Sequence, residues 1–363
     1  MKQIVFALAI ILSSCISCIN HSKEFVDIGV ILPLTGESAE LGKPIQEAML
    51  LAISNINDTI SSYKIRLLFE DGKSTASGSM FAFNKLRNSN PSCYVVFGDV
   101  PCSSLAESLE QYNTPVITLA AAAGNILTLN ENYFRSWTTS AVSSEKIVDY
   151  SIDKLGASRG AIFCMNNNYG KEFSREISYR YEAKGGDILI EEYFSDDVNL
   201  INSSAYKIIN QKPDVVFIIG FGNGYTSAIK QLRVLGYNGP IMTDDTITIS
   251  DYNSNLSPYL NNIYFSSIDF SPYDKNSSNY ETFVLPFTEK MNQLPNVHSV
   301  FGYITVEVIA DAIQRCGTSA TDIQNGLKDM KGFHSIIGEL TYLSNRELDL
   351  PVIVRQIGIG GTY

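Results

Sequence analysis

The chain reads as an α/β protein of two Rossmann-like lobes, each built on a mostly parallel sheet. Three observations predict this. Strand-like and helical runs alternate almost without interruption from Asp27 to Ser267, the pattern of parallel βαβ units. Several strands are apolar throughout, as in Val215-Val216-Phe217-Ile218-Ile219, which requires helices on both faces of the sheet. Behind a leader, about 345 residues remain, beyond the ~250 to 300 at which one core stops growing, so the chain divides in two.

The elements follow in order. Strands are expected at Asp27–Leu34, Lys64–Glu70, Cys93–Val100, Pro115–Ala120 and Tyr133–Thr138, separated by helices at Lys43–Asn57, Thr75–Asn88 and Ser103–Tyr112. A second series runs through strands Gly160–Met165, Asp187–Phe194, Asp214–Phe221, Pro240–Thr243 and Asn262–Ser267. Its helices are Ser143–Leu155, Gly170–Ala183, Ser203–Asn210 and Gly224–Leu235. After Ser267 the rhythm breaks. A Ser/Asn/Pro/Tyr-rich loop leads to helices at Tyr280–Gln293, Ser299–Cys316 and Ala320–Met330, then strands near Gly338–Leu343 and Val352–Gly358. In Ser299–Cys316, Val306, Ile309, Ala310 and Ile313 fall at i, i+3, i+4 and i+7, one apolar stripe, and Gly317 ends the helix. The two series place a leader and tether at 1–24, a first lobe at 25–139 plus 268–338, and a second lobe at 140–267 plus 339–363.

The leader combines Lys2, an apolar run from Ile4 to Leu12 and the tetrad Leu12-Ser13-Ser14-Cys15. The tetrad resembles a bacterial lipobox, which makes Cys15 the candidate for lipidation; an ordinary cleaved leader is the plainer reading. No later stretch approaches the ~20 apolar residues that cross a bilayer. The net charge of −11 and the lack of any Lys/Arg run argue against nucleic acid, whose phosphates need a basic face. The six cysteines have no metal-ligand spacing.

Ligands of open α/β sheets sit at the carboxyl ends of the strands, so the loops there carry the candidates. Gly98 to Leu105 follows a strand and opens a helix, where backbone N–H groups, the Ser103 hydroxyl and the helix dipole favour an anionic group; simple N-capping by Ser103, with Ser104 at N1, fits equally. Pro115 to Gly124 runs into four alanines, small enough for a ligand to reach the backbone or for a helix to pack closely. Asn166 to Gly170 offers amides and Tyr169, or only a left-handed turn. Asp245 can hold an ammonium or cap a helix starting at Thr246. Gly220-Phe221-Gly222-Asn223-Gly224-Tyr225 imitates a dinucleotide fingerprint, but Tyr225 stands where a third small residue belongs. Gly72-Lys73-Ser74-Thr75 lacks the earlier glycine of a P-loop, and His21, His298 and His334 are scattered. No cofactor, metal or enzyme chemistry is indicated.

From Val26 to about Gly361 the chain resembles the type I periplasmic binding proteins of the leucine/isoleucine/valine-binding kind. The stretches IGVILPLTGESAELG, YVVFGDVPCSSLAES, PVITLAAAAG, NNNYGKEF and IIGELTYLSNRELDLPVIVRQI carry the resemblance. It implies two lobes joined by a three-stranded hinge, closing on a small molecule that is handed to an ABC permease. It also implies an extracytoplasmic protein held to a bacterial membrane through its lipid anchor. Carried over residue by residue, Ser103, with Ser104 beside it, takes the ligand carboxylate, and Ala120 and Ala122 offer backbone. Tyr169 and Phe221 supply rings, and Asp245 pairs with an ammonium. Two departures are visible: Ala122 replaces the family's threonine, and Leu41 an aromatic. The family disulfide is also missing, since the partner position of Cys102 falls near Lys73. The expected ligand is a small polar metabolite, an amino acid or a related compound; a sensor signalling to a membrane receptor is the alternative use of the fold.

Overall fold

The computed structural model describes residues 24–36, 38–60, 63–249, 256–272 and 274–358. The leader, the tether and Cys15 lie outside them.

The first lobe is a five-stranded, all-parallel sheet. Its strands are β1 (Glu24–Leu32), β2 (Tyr63–Asp71), β3 (Cys93–Phe97), β4 (Val116–Leu119) and β5 (Tyr133–Arg135), in the order β2-β1-β3-β4-β5. Ile28 of β1 lies opposite Leu67 on one side and Cys93 on the other. Helices α1 (Ala39–Thr59), α2 (Ala76–Leu86) and α3 (Asp99–Glu110) connect these strands. Thr75 caps α2 by accepting the Gly78 N–H. In α1, a Cβ on Gly42 would stand 2.0 Å from the Pro33 carbonyl oxygen, so only glycine lets the helix turn this tightly off β1.

The later helices return to this lobe. A π-helical turn (Tyr280–Val284) runs into α8 (Leu285–Met291), followed by α9 (Val297–Cys316) and α10 (Ala320–Lys328); Pro286 removes the N–H that a regular α turn needs there. Ile45, Met49 and Ala52 of α1 share one buried cluster with Phe301, Ile304 and Val308 of α9. Each large apolar side chain among them contributes about 1.5–3 kcal/mol of transfer free energy. A small antiparallel sheet, β11 (Phe333–Ser335), β12 (Gly338–Tyr342) and β13 (Leu348–Asp349), closes the lobe.

The second lobe holds β6 (Arg159–Met165), β7 (Asp187–Phe194), β8 (Val215–Ile219), β9 (Ile241–Asp244), β10 (Ile263–Ile268) and β14 (Val352–Gln356), in the order β14-β10-β9-β8-β6-β7. All pairs are parallel except β14 with β10. Helices α4 (Ser140–Asp153), α5 (Asn168–Ala183), α6 (Val198–Asn210) and α7 (Gly222–Val234) cover it. Every residue of β8 is buried, as its unbroken apolar run requires.

The molecule is thus α/β, with two lobes on mostly parallel sheets. Two strands end earlier than the sequence suggests. β3 stops at Phe97, not Val100, because Gly98 adopts φ +92° and the helix starts at once. β5 ends at Arg135, whose backbone bridges to Glu347 instead of continuing to Thr138. Leu340, Tyr342 and Leu348 share a buried cluster with Ile28 and Phe134, and β14 pairs with β10 of the second sheet. The polar turn at 343–347 hairpins β12 onto β13.

Candidate ligand-binding cleft

The carboxyl ends of β3, β4, β6, β8 and β9 open onto one cleft of about 1540 Å³. That exceeds the ~300–1,000 Å³ of ordinary small-molecule pockets. The seven ligand candidates from the sequence all line it: Ser103, Ser104, Ala120 and Ala122 from the first lobe, and Tyr169, Phe221 and Asp245 from the second.

The first-lobe wall departs from the expected capping. Gly98, not Ser103, is the N-cap of α3, so Ser103 sits a turn inside the helix and Ser104 is not N1. Ser103 is exposed to the cleft, while the Ser104 hydroxyl donates back to the Pro101 carbonyl at 3.0 Å. The acidic first residue of the helix, Asp99, lines the cleft and accepts the Ala123 N–H at 3.1 Å. Burial pushes its carboxyl up to about 6; the Ala123 N–H opposes this and nearby Glu172 reinforces it.

The alanine segment is held from behind. Ala120 takes a left-handed φ of 48°, a conformation a non-glycine residue keeps only where its surroundings impose it. Arg135, with 0% of its surface exposed, donates from Nη2 to the Ala123 carbonyl at 2.7 Å and from Nη1 to the Ala122 carbonyl at 3.4 Å. Glu347 lies 3.8 Å from the guanidinium. This cation therefore serves the wall and does not line the cleft.

On the second lobe, Asn167 caps α5 through the Gly170 N–H at 2.9 Å and so presents Tyr169 at the first turn. The Tyr169 ring packs on Phe173 at 5.0 Å and faces Phe221 at 6.0 Å between centroids. Its hydroxyl donates to Oδ2 of Asp244. Asp244 also accepts the Thr246 N–H at 3.3 Å, which makes it, and not Asp245, the cap of the turn that follows. Asp245 is half-buried beside it, its carboxyl held well above the carboxylate range by burial and then by the charge of Asp244. Phe221 precedes α7 with 39% of its surface exposed. Of the glycines after it, Gly222 takes a left-handed φ of 72°, and Gly224 serves packing, since a Cβ there would stand 2.8 Å from the Ser195 carbonyl oxygen.

Sequence reasoning missed Asp99, Trp137, Thr138, Glu172, Asp244 and His298 as cleft residues. One signal was available: Trp137 is the only tryptophan of the chain, and it returns a ring to a wall where Leu41 had removed one. Trp137 packs at a tilt against Phe301, with centroids 4.5 Å apart, and against His298 at 5.0 Å. Burial pushes the His298 imidazole down to about 4, so it is neutral at physiological pH. Glu172 of α5 reaches across to the first lobe and accepts the Gly124 N–H at 2.8 Å.

Among the described residues no group of three or more His, Cys, Asp or Glu is placed to hold a metal ion. None of the described helices is long and apolar enough to cross a membrane. Cys93, Cys102, Cys164 and Cys316 are free thiols.

Comparison with known proteins agrees with this architecture. A profile of the periplasmic binding proteins matches residues 26–360. A Leu/Ile/Val-binding protein homolog 3 of Brucella melitensis is 22% identical over 90% of the chain and 89% of its own length. Among solved structures, the branched-chain amino acid transporter substrate binding protein LivJ from Streptococcus pneumoniae, in complex with isoleucine, superposes with a TM-score of 0.83 at 20% identity, covering 93% of this chain and 97% of that one. An ABC transporter solute binding protein from Rhodopseudomonas palustris, in complex with 3,4-dihydroxy benzoic acid, gives 0.80 at 21% identity, covering 92% and 93%.

Proposed function

The chain belongs to the periplasmic binding protein family, and from that premise we propose that it captures a small polar metabolite, an amino acid or a related amino-bearing compound, outside the cytoplasm and delivers it to an ABC permease. Capture proceeds by closure of the two lobes. Either wall alone leaves a ligand half solvated; only the closed state offers Ser103 and the alanine segment together with Tyr169, Phe221 and Asp245. Binding then shifts the population toward that state. Cys15 carries the lipid that keeps the protein beside its permease.

The observation that carries this reading is the sign of the charge inside the cleft. The relatives' ligands divide between an amino acid and an aromatic acid. Here the carboxyl groups of Asp99, Glu172, Asp244 and Asp245 line the walls, whereas the cations among the lining residues, Lys171 and Arg175, are exposed. The buried Arg135 is already committed to carbonyls. A purely anionic ligand would meet no free interior cation among these residues, while a protonated amine meets several acceptors.

A thermal-shift screen of the purified chain against amines, amino acids and aromatic acids tests the reading. The expected result is a rise in melting temperature with amino-bearing compounds that Ser103→Ala and Asp245→Asn reduce. Stabilisation by aromatic acids alone contradicts it.

A further inference from the structure

The alanine segment brings backbone N–H groups to the first-lobe wall of the cleft. In this chain the Ala123 N–H is already taken, by the Asp99 carboxylate at 3.1 Å. Asp99 is the first residue of α3, set by the left-handed Gly98 so that its side chain turns onto the alanine segment. A carboxylate belonging to the protein thus stands against the alanine segment on the first-lobe wall of the cleft.

The rest of the cleft extends the pattern. Across from Asp99, Asp245 is half-buried and its carboxylate accepts no hydrogen bond from any other described residue, while its neighbour Asp244 is occupied by Tyr169 and Thr246. The wall nearest the hinge is polar but uncharged. Thr138 and His298 line it at 8% and 5% exposure, and Thr138 Oγ1 and His298 Nδ1 have no hydrogen-bond partner among the described residues. On the cleft wall, these two buried atoms are positioned for a bound molecule to satisfy. The buried guanidinium of Arg135 faces away behind the alanine segment.

We infer that the cleft takes a dicationic small molecule of the diamine class, with one protonated nitrogen on Asp99 in the first lobe and the other on Asp245 in the second. The inference rests on the capture reading above and names its ligand class. Closure brings the two carboxyl groups to opposite ends of one ligand, where the second ammonium supplies the opposite charge that favours the ionised form of Asp245, and the Trp137 and Tyr169 rings flank the carbon chain between them. An α-carboxylate placed at the first-lobe wall would instead face Asp99 across the same N–H. Asp99 is therefore the residue that sets specificity.

Calorimetric titration of the purified chain with 1,4-diaminobutane, leucine and benzoate, repeated on Asp99→Asn and Asp245→Asn, tests this. The amide introduced by Asp99→Asn retains an oxygen for the Ala123 N–H, so the wall is kept and only the charge is lost. The expected result is diamine binding to the unsubstituted chain, undisturbed by leucine or benzoate, and weakened roughly tenfold or more by either substitution. The inference is overturned if leucine or benzoate binds the unsubstituted chain more tightly than the diamine does. It is equally overturned if Asp99→Asn leaves the diamine affinity within about twofold, or if the diamine gives no heat at all. Capture itself would survive each of these results, because it stands or falls on whether some bound metabolite closes the lobes.

Discussion

The Glu172 carboxylate and the Gly124 N–H meet at 2.8 Å across the mouth of the cleft, one on each lobe. The same Oε1 accepts the Ser140 hydroxyl at 2.9 Å, at the point where the chain enters the second lobe. This pairing ties the two lobes together across the cleft without using any ligand atom.

Removing it should favour the open state. A hydrogen bond to a charged group contributes about 1.5–3 kcal/mol, so Glu172→Ala should weaken ligand binding by roughly tenfold or more through the closed population alone. Titration calorimetry checks this. An unchanged affinity would show that the contact does not hold the lobes together.

Arg135 supports the alanine segment from a position with no access to water. Arg135→Met would strand the Ala123 carbonyl, leave the Ala122 carbonyl only the Ser140 N–H and unpair the partly exposed Glu347; a buried acceptor left without its donor costs about 1–3 kcal/mol. Thermal denaturation should show a large loss of stability together with a loss of ligand binding. Arg135→Lys should recover only part of either, since an ammonium cannot span both carbonyls as a fork.

Tyr169→Phe keeps the ring that faces Phe221 but deletes the donor to Asp244, a carboxylate only 4% exposed. The cost of leaving such an acceptor short of a donor is about 1–3 kcal/mol. It should appear as weaker binding and a modest fall in melting temperature, both measurable on the same purified variant.

Much of the architecture was legible in the residues. The apolar runs of β3 and β8 and the periodic stripe of α9 announce themselves because burial on both faces, or on one, leaves a direct mark on composition. The site was legible at the level of loops and less so at the level of atoms. Ser103 makes a good cap in isolation, but the positive φ of Gly98 starts the helix earlier and hands the leading position to Asp99. Asp244 and Asp245 are adjacent and chemically identical, so only the strand's final register decides which one caps and which stays free. Glu172 and His298 reach the cleft from one face of long helices, and nothing in their local sequence marks them for it.

A buried acid gives the fold a pH signature. Glu307 of α9 accepts the Ile336 N–H at 3.3 Å, and burial pushes its carboxyl from 4.5 up to about 8. The folded chain therefore holds this proton more tightly than the unfolded one does. Its contribution is fully present below about pH 4.5 and is lost as the pH rises toward and through 8. Melting temperatures between about pH 5 and 8 should decline, and Glu307→Gln should flatten that decline relative to the unsubstituted chain. Parallel slopes for the two proteins would assign the pH dependence elsewhere.

The central claim is that two lobes clamp one molecule between Ser103 with the alanine segment on one wall and Tyr169, Phe221 and Asp245 on the other. Small-angle X-ray scattering of the purified chain, free and saturated with a bound compound, addresses it most directly. A smaller radius of gyration is expected in the saturated sample, reversed on removal of the compound and diminished by Glu172→Ala. Superimposable profiles for the free and saturated protein would contradict it.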